Sequence, residues 1–317
     1  MIPASGHVIS PPYRTAVVGL GKIAMDQHLP ALADSDQFVL MAAVDSSPRS
    51  LSVPTFASVD GLLASGIELD AIAICTPPQA RVAIAERAID AGLAVLLEKP
   101  PATSVAELAA LQRRADMKNV SLFAAWHSRY APMVPDALAW LQQRVVARGH
   151  IRWREDVRKW HPGQRWLWQQ GGLGVFDPGI NAFSILTALL PMVPVVVGAQ
   201  LDIPENAQTP ISAQLQLSAG GAPIAVELDF LETKSQRWEI MLETECGHRL
   251  LLADGGTRLV IDDAQPVTRP SAEYPALYAH FAQLIWSGTS DADDAPLALV
   301  AEALSIGKIN SVEAFIG

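Results

Sequence analysis

Short apolar runs alternate with helical stretches over about the first 120 residues of the chain. The runs at 15–18, 38–44, 70–75, 93–97 and 120–125 predict strands. Strands that alternate with helices in this way predict a parallel, doubly wound sheet. Because ligands of open sheets bind beyond the carboxyl ends of the strands, the residues that follow these runs are the first candidates for a functional site.

The first strand leads into Gly19-Leu20-Gly21-Lys22-Ile23-Ala24, which has the pattern G-x-G-x-x-A. In a dinucleotide-binding turn, the first glycine allows the tight bend and the second lets a pyrophosphate approach the backbone. A small third residue lets the following helix lie close to the strand. The motif alone is weak, but here it follows a strand and opens a helical stretch, as dinucleotide binding requires.

The second strand ends at Asp45, about where an acidic residue would accept hydrogen bonds from the adenosine ribose. A carboxylate there repels a 2′-phosphate, so the sequence favours NAD over NADP. Arg49 could instead pair with that phosphate, which keeps NADP as an alternative. Asp45 could also simply begin the turn at 45–48, as aspartate often does.

The apolar run at 93–97 leads into Glu98-Lys99-Pro100-Pro101. A charged pair placed where a buried strand ends is an unusual choice for packing, and in an open sheet this edge faces the ligand. The alternative interpretation is a strand end with two solvated charges and a proline that stops the strand.

The pattern changes after about residue 130. One helix is expected at 133–148 and a strand at 149–157, and alternating segments between 195 and 261 predict a largely antiparallel sheet. Helices are expected at 278–286 and 298–306. We therefore expect two domains: residues 13–130 for dinucleotide binding, and 131–317 for substrate binding and oligomerisation.

Composition narrows the function classes. The net charge of −10 argues against nucleic acid or an anionic membrane as a partner. Cys75 and Cys246 are the only cysteines, which favours a reducing compartment. Residues 1–12 lack the features of a secretory signal, and no apolar stretch is long enough to span a membrane, so we expect a cytoplasmic protein. Histidines and cysteines show no metal-ligand spacing, so no metal is expected.

Several runs together resemble one known family. They are the glycine motif with 26–30, Glu98-Lys99-Pro100-Pro101, Trp126-His127-Ser128-Arg129, and the segments 155–164, 172–181 and 273–281. The chain resembles the Gfo/Idh/MocA oxidoreductases, and within them the bacterial aldose 1-dehydrogenases that oxidise L-arabinose and D-galactose. Glu-Lys-Pro alone marks only the superfamily, and the run from 155 to 181 is the specific signal.

The resemblance implies an N-terminal Rossmann domain followed by an α/β domain with a large, mostly antiparallel open sheet. It implies that a pyranose binds against the nicotinamide and is oxidised at C1 to an aldonolactone. Lys99, Asp177 and Asn181 are the implied catalytic residues. Many members carry histidine where this chain has Asn181, and asparagine cannot exchange a proton at neutral pH. The proton would then pass to Lys99, to Asp177 or to water between them.

The resemblance also implies binding residues. His127, Glu155, Trp160 and His161 are expected to bind the sugar, although His161 could equally be an ordinary loop histidine. The cofactor set is Gly19, Gly21, Lys22, Ile23, Asp45, Arg49, Cys75, Thr76, Pro77, Glu98, Lys99, Trp126 and Arg165. The Lys99–Pro100 peptide is expected to be cis.

Simpler roles remain open for two of the catalytic candidates. Asp177 could be only a helix N-cap, a role compatible with facing the sugar. If Lys99 formed an ion pair with Glu98 or Asp177, its role would be purely electrostatic and it would not relay a proton.

Two alternative functions remain at this point. One is another reaction of the family, on an inositol or an imine, and the other is a non-catalytic sensor that binds NAD(P). A homo-oligomer is expected because open sheets in this family often pair face to face.

Overall fold

A six-stranded parallel sheet is built from the first part of the chain. The computed structural model describes residues 10–47 and 50–316. The strands of this sheet are β1 (Tyr13–Val18), β2 (Phe38–Val44), β3 (Thr55–Phe56), β4 (Ala71–Ile74), β5 (Ala94–Glu98) and β6 (Leu122–Ala125). They are ordered β3-β2-β1-β4-β5-β6, and every neighbouring pair is parallel. The predicted doubly wound sheet is confirmed.

Helical segments separate most of these strands. They are a π-helical turn (Ala24–His28), α1 (Leu29–Ala33), α2 (Val59–Leu63), α3 (Pro78–Asp90) and α4 (Val105–Lys118). Every residue of β4 and β5 is buried, as expected for a parallel sheet that is covered on both faces. Alternate residues of these strands, such as Ile72 and Val95, share one core cluster with Ile89 of α3 and Leu108 of α4.

The start of α4 shows how the sequence sets a helix boundary. The Ser104 hydroxyl accepts a hydrogen bond from the backbone N–H of Glu107 at 3.2 Å. The Glu107 carboxylate in turn accepts the backbone N–H of Thr103 at 3.0 Å. These reciprocal bonds satisfy N–H groups that a helix start leaves without intrahelical partners. Ser104 is therefore the N-cap of α4.

The parallel strands bring distant residues to one edge of the sheet. Gly19 follows β1, Asp45 follows β2, Cys75 follows β4, Lys99 follows β5 and Trp126 follows β6. Because the strands run in the same direction, all five lie at the carboxyl edge. This is the edge at which open α/β sheets bind their ligands.

A nine-stranded sheet forms in the second part of the chain. Its strands are β7 (Val146–Arg154), β8 (Val195–Pro204), β9 (Ser212–Ala219), β10 (Ala222–Asp229), β11 (Arg237–Thr244), β12 (Arg249–Ala253), β13 (Arg258–Ile261), β14 (Val267–Thr268) and β15 (Lys308–Val312). Their order is β14-β13-β12-β11-β7-β10-β9-β8-β15. Only the β7–β10 and β8–β15 pairs are parallel. The sheet is therefore mixed but mostly antiparallel, which confirms the predicted fold class.

The remaining helices are α5 (Val134–Leu141), α6 (Val157–Trp160), α7 (Phe176–Leu189), α8 (Glu273–Ser287) and α9 (Ala295–Ile306). α7 approaches the nine-stranded sheet closely at Gly179. A Cβ atom on Gly179 would lie 2.6 Å from Cδ1 of Leu228 on β10. Glycine at this position lets the helix that carries Asp177 and Asn181 lie against the sheet.

Several element boundaries differ from the sequence prediction: the strand expected at 149–157 ends at Arg154, and the helix expected at 278–286 begins at Glu273. The helix predicted at 133–148 ends at Leu141, and residues 146–148 already belong to β7, where Val146 pairs with Thr244. Pairing along β11 decides between two states that the short apolar run leaves open. β15 was not expected because four of its five residues are exposed, so it lacks the alternation that marks a half-buried strand.

Residue contacts divide the described chain into two compact units. The first unit contains the residues up to Trp126 together with Tyr274–Asp294. The second unit contains His127–Glu273 and the residues from Ala295 onward. Among residues 10–47 and 50–316, no helix is both long and apolar enough to cross a membrane.

Candidate active site

The glycine turn of the first unit leaves space for a ligand next to its backbone. Gly19 has φ +86°, and a Cβ there would lie 2.9 Å from the backbone nitrogen of Thr76. A Cβ on Gly21 would meet no atom within 4 Å, and Gly21 is exposed. Gly19 is thus required for close packing between two strand ends, while Gly21 leaves backbone open. This geometry fits the pyrophosphate of a dinucleotide.

Asp45 is bound by backbone groups on both sides. Its Oδ2 accepts the N–H of Leu20 at 2.7 Å, and its Oδ1 accepts the N–H of Ser47 at 2.7 Å. The residue therefore begins a turn and also ties β2 to the glycine turn. Each carboxylate oxygen has a further lone pair, so ribose binding by Asp45 stays a prediction. Arg49, the other residue expected to read the ribose, lies outside the described residues.

Lys22 and Ile23 follow Gly21 at the start of the helical stretch. The Lys22 side chain is exposed and forms an ion pair with Asp26, one turn further along the chain. Ile23 is half-buried. Their backbone positions suit the predicted role beside a pyrophosphate, and contact of their side chains with the cofactor stays a prediction.

Cys75, Thr76 and Pro77 form the connection between β4 and α3. The Cys75 N–H donates to the carbonyl of Val18 at 2.7 Å, which extends the pairing of β4 with β1. Pro77 is exposed and caps α3. This connection packs against Gly19, so the three predicted residues lie at the glycine turn.

A buried cluster surrounds the Glu98 side chain. Its Oε1 accepts the hydroxyl of Tyr274 at 2.7 Å and lies 3.1 Å from Nε2 of His28. Its Oε2 accepts the backbone N–H of Lys99 at 2.7 Å. Nδ1 of His28 lies 2.8 Å from the Tyr278 hydroxyl. Protein groups thus hold the Glu98 carboxylate, which was predicted from the family resemblance to bind cofactor.

The Lys99–Pro100 peptide is fixed from the other side by Arg81. The Arg81 guanidinium is buried and donates to the carbonyls of Thr76, Glu98 and Pro100. It thereby joins the connections that follow β4 and β5. The Lys99–Pro100 bond is cis, as predicted, and the Lys99 side chain is half-buried.

Burial and neighbouring groups shift two pKa values in this cluster. Burial disfavours the charged form of His28, but its interactions with Cys75, Tyr278 and Glu98 outweigh this and raise the pKa of His28 well above its usual range. Burial raises the pKa of Tyr278 to about 12. The histidine therefore favours the protonated form beside the Glu98 carboxylate.

A cavity of about 290 Å³ lies within the second unit. It is lined by His127, Ser128, Trp153, Glu155, Asn181, Trp238, Asp254, Gly255, Thr257, Ser271 and Glu273. Trp153 and Trp238 are paired on β7 and β11, with ring centroids 6.2 Å apart and an interplanar angle of 25°. Stacked aromatic faces beside carboxylate, amide and hydroxyl groups suit a ligand with both apolar and hydroxylated faces.

A histidine contacts two carboxylates next to this cavity: His161 lies between Glu155 and Asp177. Nε2 of His161 lies 2.9 Å from Glu155 Oε1, and its Nδ1 lies 3.6 Å from Asp177 Oδ2. The second Glu155 oxygen accepts the indole N–H of Trp238 at 2.8 Å. Both carboxylates are at least 94% buried at the side chain. His161 is thus held between two acids rather than in a free loop.

Asp177 and Asn181 lie one turn apart on α7. The helix begins at Phe176, so Asp177 is its second residue. The N-cap position is Val175, which forms no side-chain cap bond. Asp177 is therefore inside the helix rather than its N-cap. Asn181 lines the cavity, and the spacing of four places both residues on one face of α7.

Neither Trp160 nor Arg165 lines the 290 Å³ cavity. The Trp160 indole donates to Gln236 at 2.6 Å, and its ring packs 5.1 Å from Trp238. Arg165 is exposed and lines a second cavity of about 580 Å³ together with Arg158 and His161. Their proposed binding roles are not supported by contact with the smaller cavity.

Trp126 and His127 are neighbours in sequence that belong to different units. Trp126 is 2% exposed, and its indole N–H donates to the carbonyl of Asp293 at 2.9 Å. His127 lines the 290 Å³ cavity, where its Nδ1 lies 2.5 Å from Oε2 of Glu273. The stretch Trp126-His127 therefore contributes a packed residue and a cavity residue.

Several residues of these sites were missed by sequence reasoning. They are His28, Arg81, Trp153, Trp238, Asp254, Thr257, Ser271, Glu273, Tyr274 and Tyr278. The segment 273–281 contributed to the family resemblance, but no roles followed from it. The spacing of Tyr274 and Tyr278 by one helical turn was the available signal.

Comparisons with known proteins agree with this architecture. Residues 13–125 match a family described as GFO_IDH_MocA, the oxidoreductase family with an NAD-binding Rossmann fold. The chain is 43% identical to galactose 1-dehydrogenase of Pseudomonas fluorescens over 96% of this chain and 99% of that protein. A crystal structure of D-galactose-1-dehydrogenase from Rhizobium etli has a TM-score of 0.92 and 43% identity, covering 98% of this chain and 100% of the other.

A more distant structure shares the fold alone. KijD10, a 3-ketoreductase from Actinomadura kijaniata in complex with NADP and TDP-benzene, is 18% identical with a TM-score of 0.83. The match covers 95% of this chain and 100% of that one. From the near full-length relatives and the family match, the chain belongs to the Gfo/Idh/MocA oxidoreductase family and carries its NAD-binding Rossmann fold.

Proposed function

We propose that this protein oxidises D-galactose or a close aldopyranose at C1 and transfers the hydride to NAD. The observation that carries the proposal is the 43% identity over nearly the whole chain to a galactose 1-dehydrogenase. The 290 Å³ cavity supports it, because its stacked tryptophans and polar groups match the two kinds of surface that a sugar presents.

The reaction removes a hydride from C1 and a proton from the C1 hydroxyl, and both leave the sugar as it becomes the lactone. The nicotinamide of NAD supplies the hydride acceptor. We assign to Lys99 the contact with O1 and the relay of its proton, with Asp177 as the alternative acceptor.

The contacts around Lys99 support this assignment. Its backbone N–H is held by Glu98, and the carbonyls on both sides of the residue, of Glu98 and Pro100, are held by Arg81. A backbone fixed on both sides limits the positions of the amine. Holding a reacting group in place can supply a large part of a catalytic effect.

Sugar recognition is assigned to residues of the second unit. Glu155 and Asn181 line the cavity and offer a carboxylate and an amide to hydroxyl groups. His161 positions Glu155 through their 2.9 Å contact. The ring of the half-buried Trp238, which packs on the buried Trp153, suits the C–H face of a pyranose.

Which sugars the enzyme accepts depends on which carbons of the pyranose the pocket contacts. L-Arabinopyranose and D-galactopyranose share the configuration from C1 to C4 and differ by one hydroxymethyl group on C5. A pocket that binds C1 to C4 accepts both, and one apolar-sized group changes specificity by only about 1–3 kcal/mol. We therefore expect activity with both sugars.

We also propose that the protein acts in the cytoplasm as a homo-oligomer. The two cysteines are free, which fits a reducing compartment. Large apolar side chains are exposed near one edge of the nine-stranded sheet, with Ile309 of the edge strand β15 at 69% and Val197 of its neighbour β8 at 62%. Sedimentation of the purified protein tests the second part, and a monomer at micromolar concentration would contradict it.

A panel of sugars tests the proposed function. D-Galactose, L-arabinose, D-glucose and myo-inositol are each mixed with enzyme and either NAD or NADP, and absorbance at 340 nm is followed. We expect reduction with the first two sugars and faster reduction with NAD. Activity with inositol alone would indicate another reaction of the family. No reduction with any sugar, although NAD binds, would indicate a sensor.

A further inference from the structure

We propose that Glu273 is a positioning residue that orients His127 so that its Nε2 accepts a hydrogen bond from one hydroxyl of the sugar. The inference rests on the proposed function and adds a residue to the same site. Nδ1 of His127 lies 2.5 Å from Oε2 of Glu273, and the two side chains are only 14% and 15% exposed. Both residues line the 290 Å³ cavity.

The contact determines which ring nitrogen carries the proton. An ionised carboxylate only accepts hydrogen bonds, so the nitrogen that faces Glu273 must be a donor. In the neutral ring, a proton on Nδ1 leaves Nε2 as an acceptor. The Ser128 hydroxyl lies 3.4 Å from the same Nδ1, a weaker contact that leaves the carboxylate as the main partner. A hydroxyl of the sugar can then donate to Nε2.

The other residues of the cavity leave a distinct role for Nε2 of His127 as a hydrogen-bond acceptor. Position 181 is asparagine, and within the described part of the chain His127 is the one histidine that lines this cavity. Glu155 and Asp254 supply carboxylate acceptors. An imidazole with a fixed tautomer supplies a neutral acceptor nitrogen that can be approached from one direction only. A carboxylate has several lone pairs and a hydroxyl rotates, so neither fixes the direction of the hydrogen bond.

A purely structural role for Glu273 is the competing explanation. Glu273 is the first residue of α8, and a negative charge at a helix N-terminus stabilises the helix by itself. That role would change thermal stability and affect every sugar equally. The positioning role instead predicts an effect that depends on one hydroxyl group of the substrate.

The experiment compares D-galactose with its 2-, 3-, 4- and 6-deoxy analogues in wild type, Glu273→Ala, Glu273→Gln, His127→Ala and the Glu273→Ala/His127→Ala double variant. Glu273→Ala should raise KM for D-galactose about tenfold, the effect of one lost hydrogen bond to a bound group. Glu273→Gln should restore most of the loss, because its amide oxygen still accepts the Nδ1 proton. The double variant should be no worse than His127→Ala.

The deoxy sugars provide the decisive comparison. For one analogue, the one that lacks the hydroxyl bound by His127, the Glu273→Ala penalty should disappear. Asp262→Asn is the matched control, because it removes a carboxylate at 2.9 Å from Nδ1 of the exposed His248 and should leave all KM values unchanged. An equal penalty for every sugar, or none for any, overturns the proposal.

A spectroscopic measurement separates this inference from the proposed function. Long-range ¹H–¹⁵N spectra of the full chain report the tautomer of each histidine. We expect His127 protonated at Nδ1 in wild type and a mixture in Glu273→Ala, and a proton on Nε2 in wild type would overturn the positioning role. A wild type that reduces no NAD with D-galactose would refute the proposed function, while the spectra still decide the role of Glu273.

Discussion

Nε2 of His28 lies 3.1 Å from Oε1 of Glu98, and the two side chains are 0% and 3% exposed. The pair is linked to Lys99, because the backbone N–H of Lys99 donates to the other oxygen of Glu98. Two ionisable groups that are buried away from water are tolerated only when each is fully hydrogen-bonded. Tyr274 and Tyr278 complete that set. The catalytic lysine proposed above is therefore supported by a buried polar network.

Stability should depend on pH through His28. Its folded pKa is raised above the usual value near 6.5, so its contribution to stability is fully present below about pH 6.5 and is lost as the pH rises through the folded pKa. The free energy of unfolding in urea should fall above neutral pH in wild type. In His28→Gln the curve should be lower and flatter. His248→Gln, at an exposed site, is the control, and an unchanged pH slope in His28→Gln would contradict the prediction.

Glu98→Gln should lower both stability and turnover. The amide retains one acceptor oxygen, but it leaves the protonated His28 without its negative partner. Breaking a buried ion pair by removing one partner costs about 3–5 kcal/mol. We expect a lower free energy of unfolding and a lower kcat, measured on the fraction that remains folded at 15 °C. Wild-type values for both would show that the carboxylate charge is not needed.

Lys99→Ala should remove most turnover and leave NAD binding within a few-fold of wild type. General acid–base and electrostatic groups typically contribute about 10²–10⁴-fold to the rate. Turnover is measured at saturating D-galactose, and NAD affinity is measured by calorimetry. Lys118→Ala, at the end of α4, is the control. A Lys99→Ala rate within a few-fold of wild type excludes the proposed role.

Asp45→Ala should narrow the preference for NAD over NADP. The change removes a carboxylate that would repel a 2′-phosphate, and it also frees the N–H of Leu20 that Asp45 now accepts. We therefore expect a lower kcat/KM for NAD and a higher value for NADP, with Asp34→Ala as an exposed control. If wild type already prefers NADP, Asp45 acts as a turn residue and Arg49 becomes the candidate for phosphate binding.

Two glycines of the same turn should respond differently to alanine. Gly19→Ala combines a positive φ of +86° with a Cβ only 2.9 Å from a backbone nitrogen, so it should destabilise the first unit. Gly21→Ala meets no atom of the protein within 4 Å, so stability should stay near wild type while NAD affinity falls. Thermal unfolding and NAD titration of both variants check this, and equal NAD affinity in Gly21→Ala and wild type would place the pyrophosphate elsewhere.

The sequence by itself determined the parallel sheet and its functional edge. Strand-sized apolar runs, a glycine turn and charged residues after β5 are local patterns, and local patterns report backbone state and strand ends directly. Lys99, Asp45, Gly19 and Gly21 were therefore predicted without any knowledge of which strands are neighbours. The resemblance added Asp177, Asn181, Glu155 and His161 on the same basis of contiguous motifs.

Only the tertiary structure decided which distant residues meet. His28 and Tyr278 are 250 positions apart, and His127 and Glu273 are 146 apart. No local pattern encodes such contacts, because they depend on the strand order and on the return of α8 to the first unit. The same holds for the end of the helix at Leu141 and for β15, since pairing with neighbouring strands decides conformation where intrinsic preference is weak. The buried Glu98 carboxylate is bonded by three groups, from His28, Tyr274 and the Lys99 N–H, and this too is a property of the assembled fold.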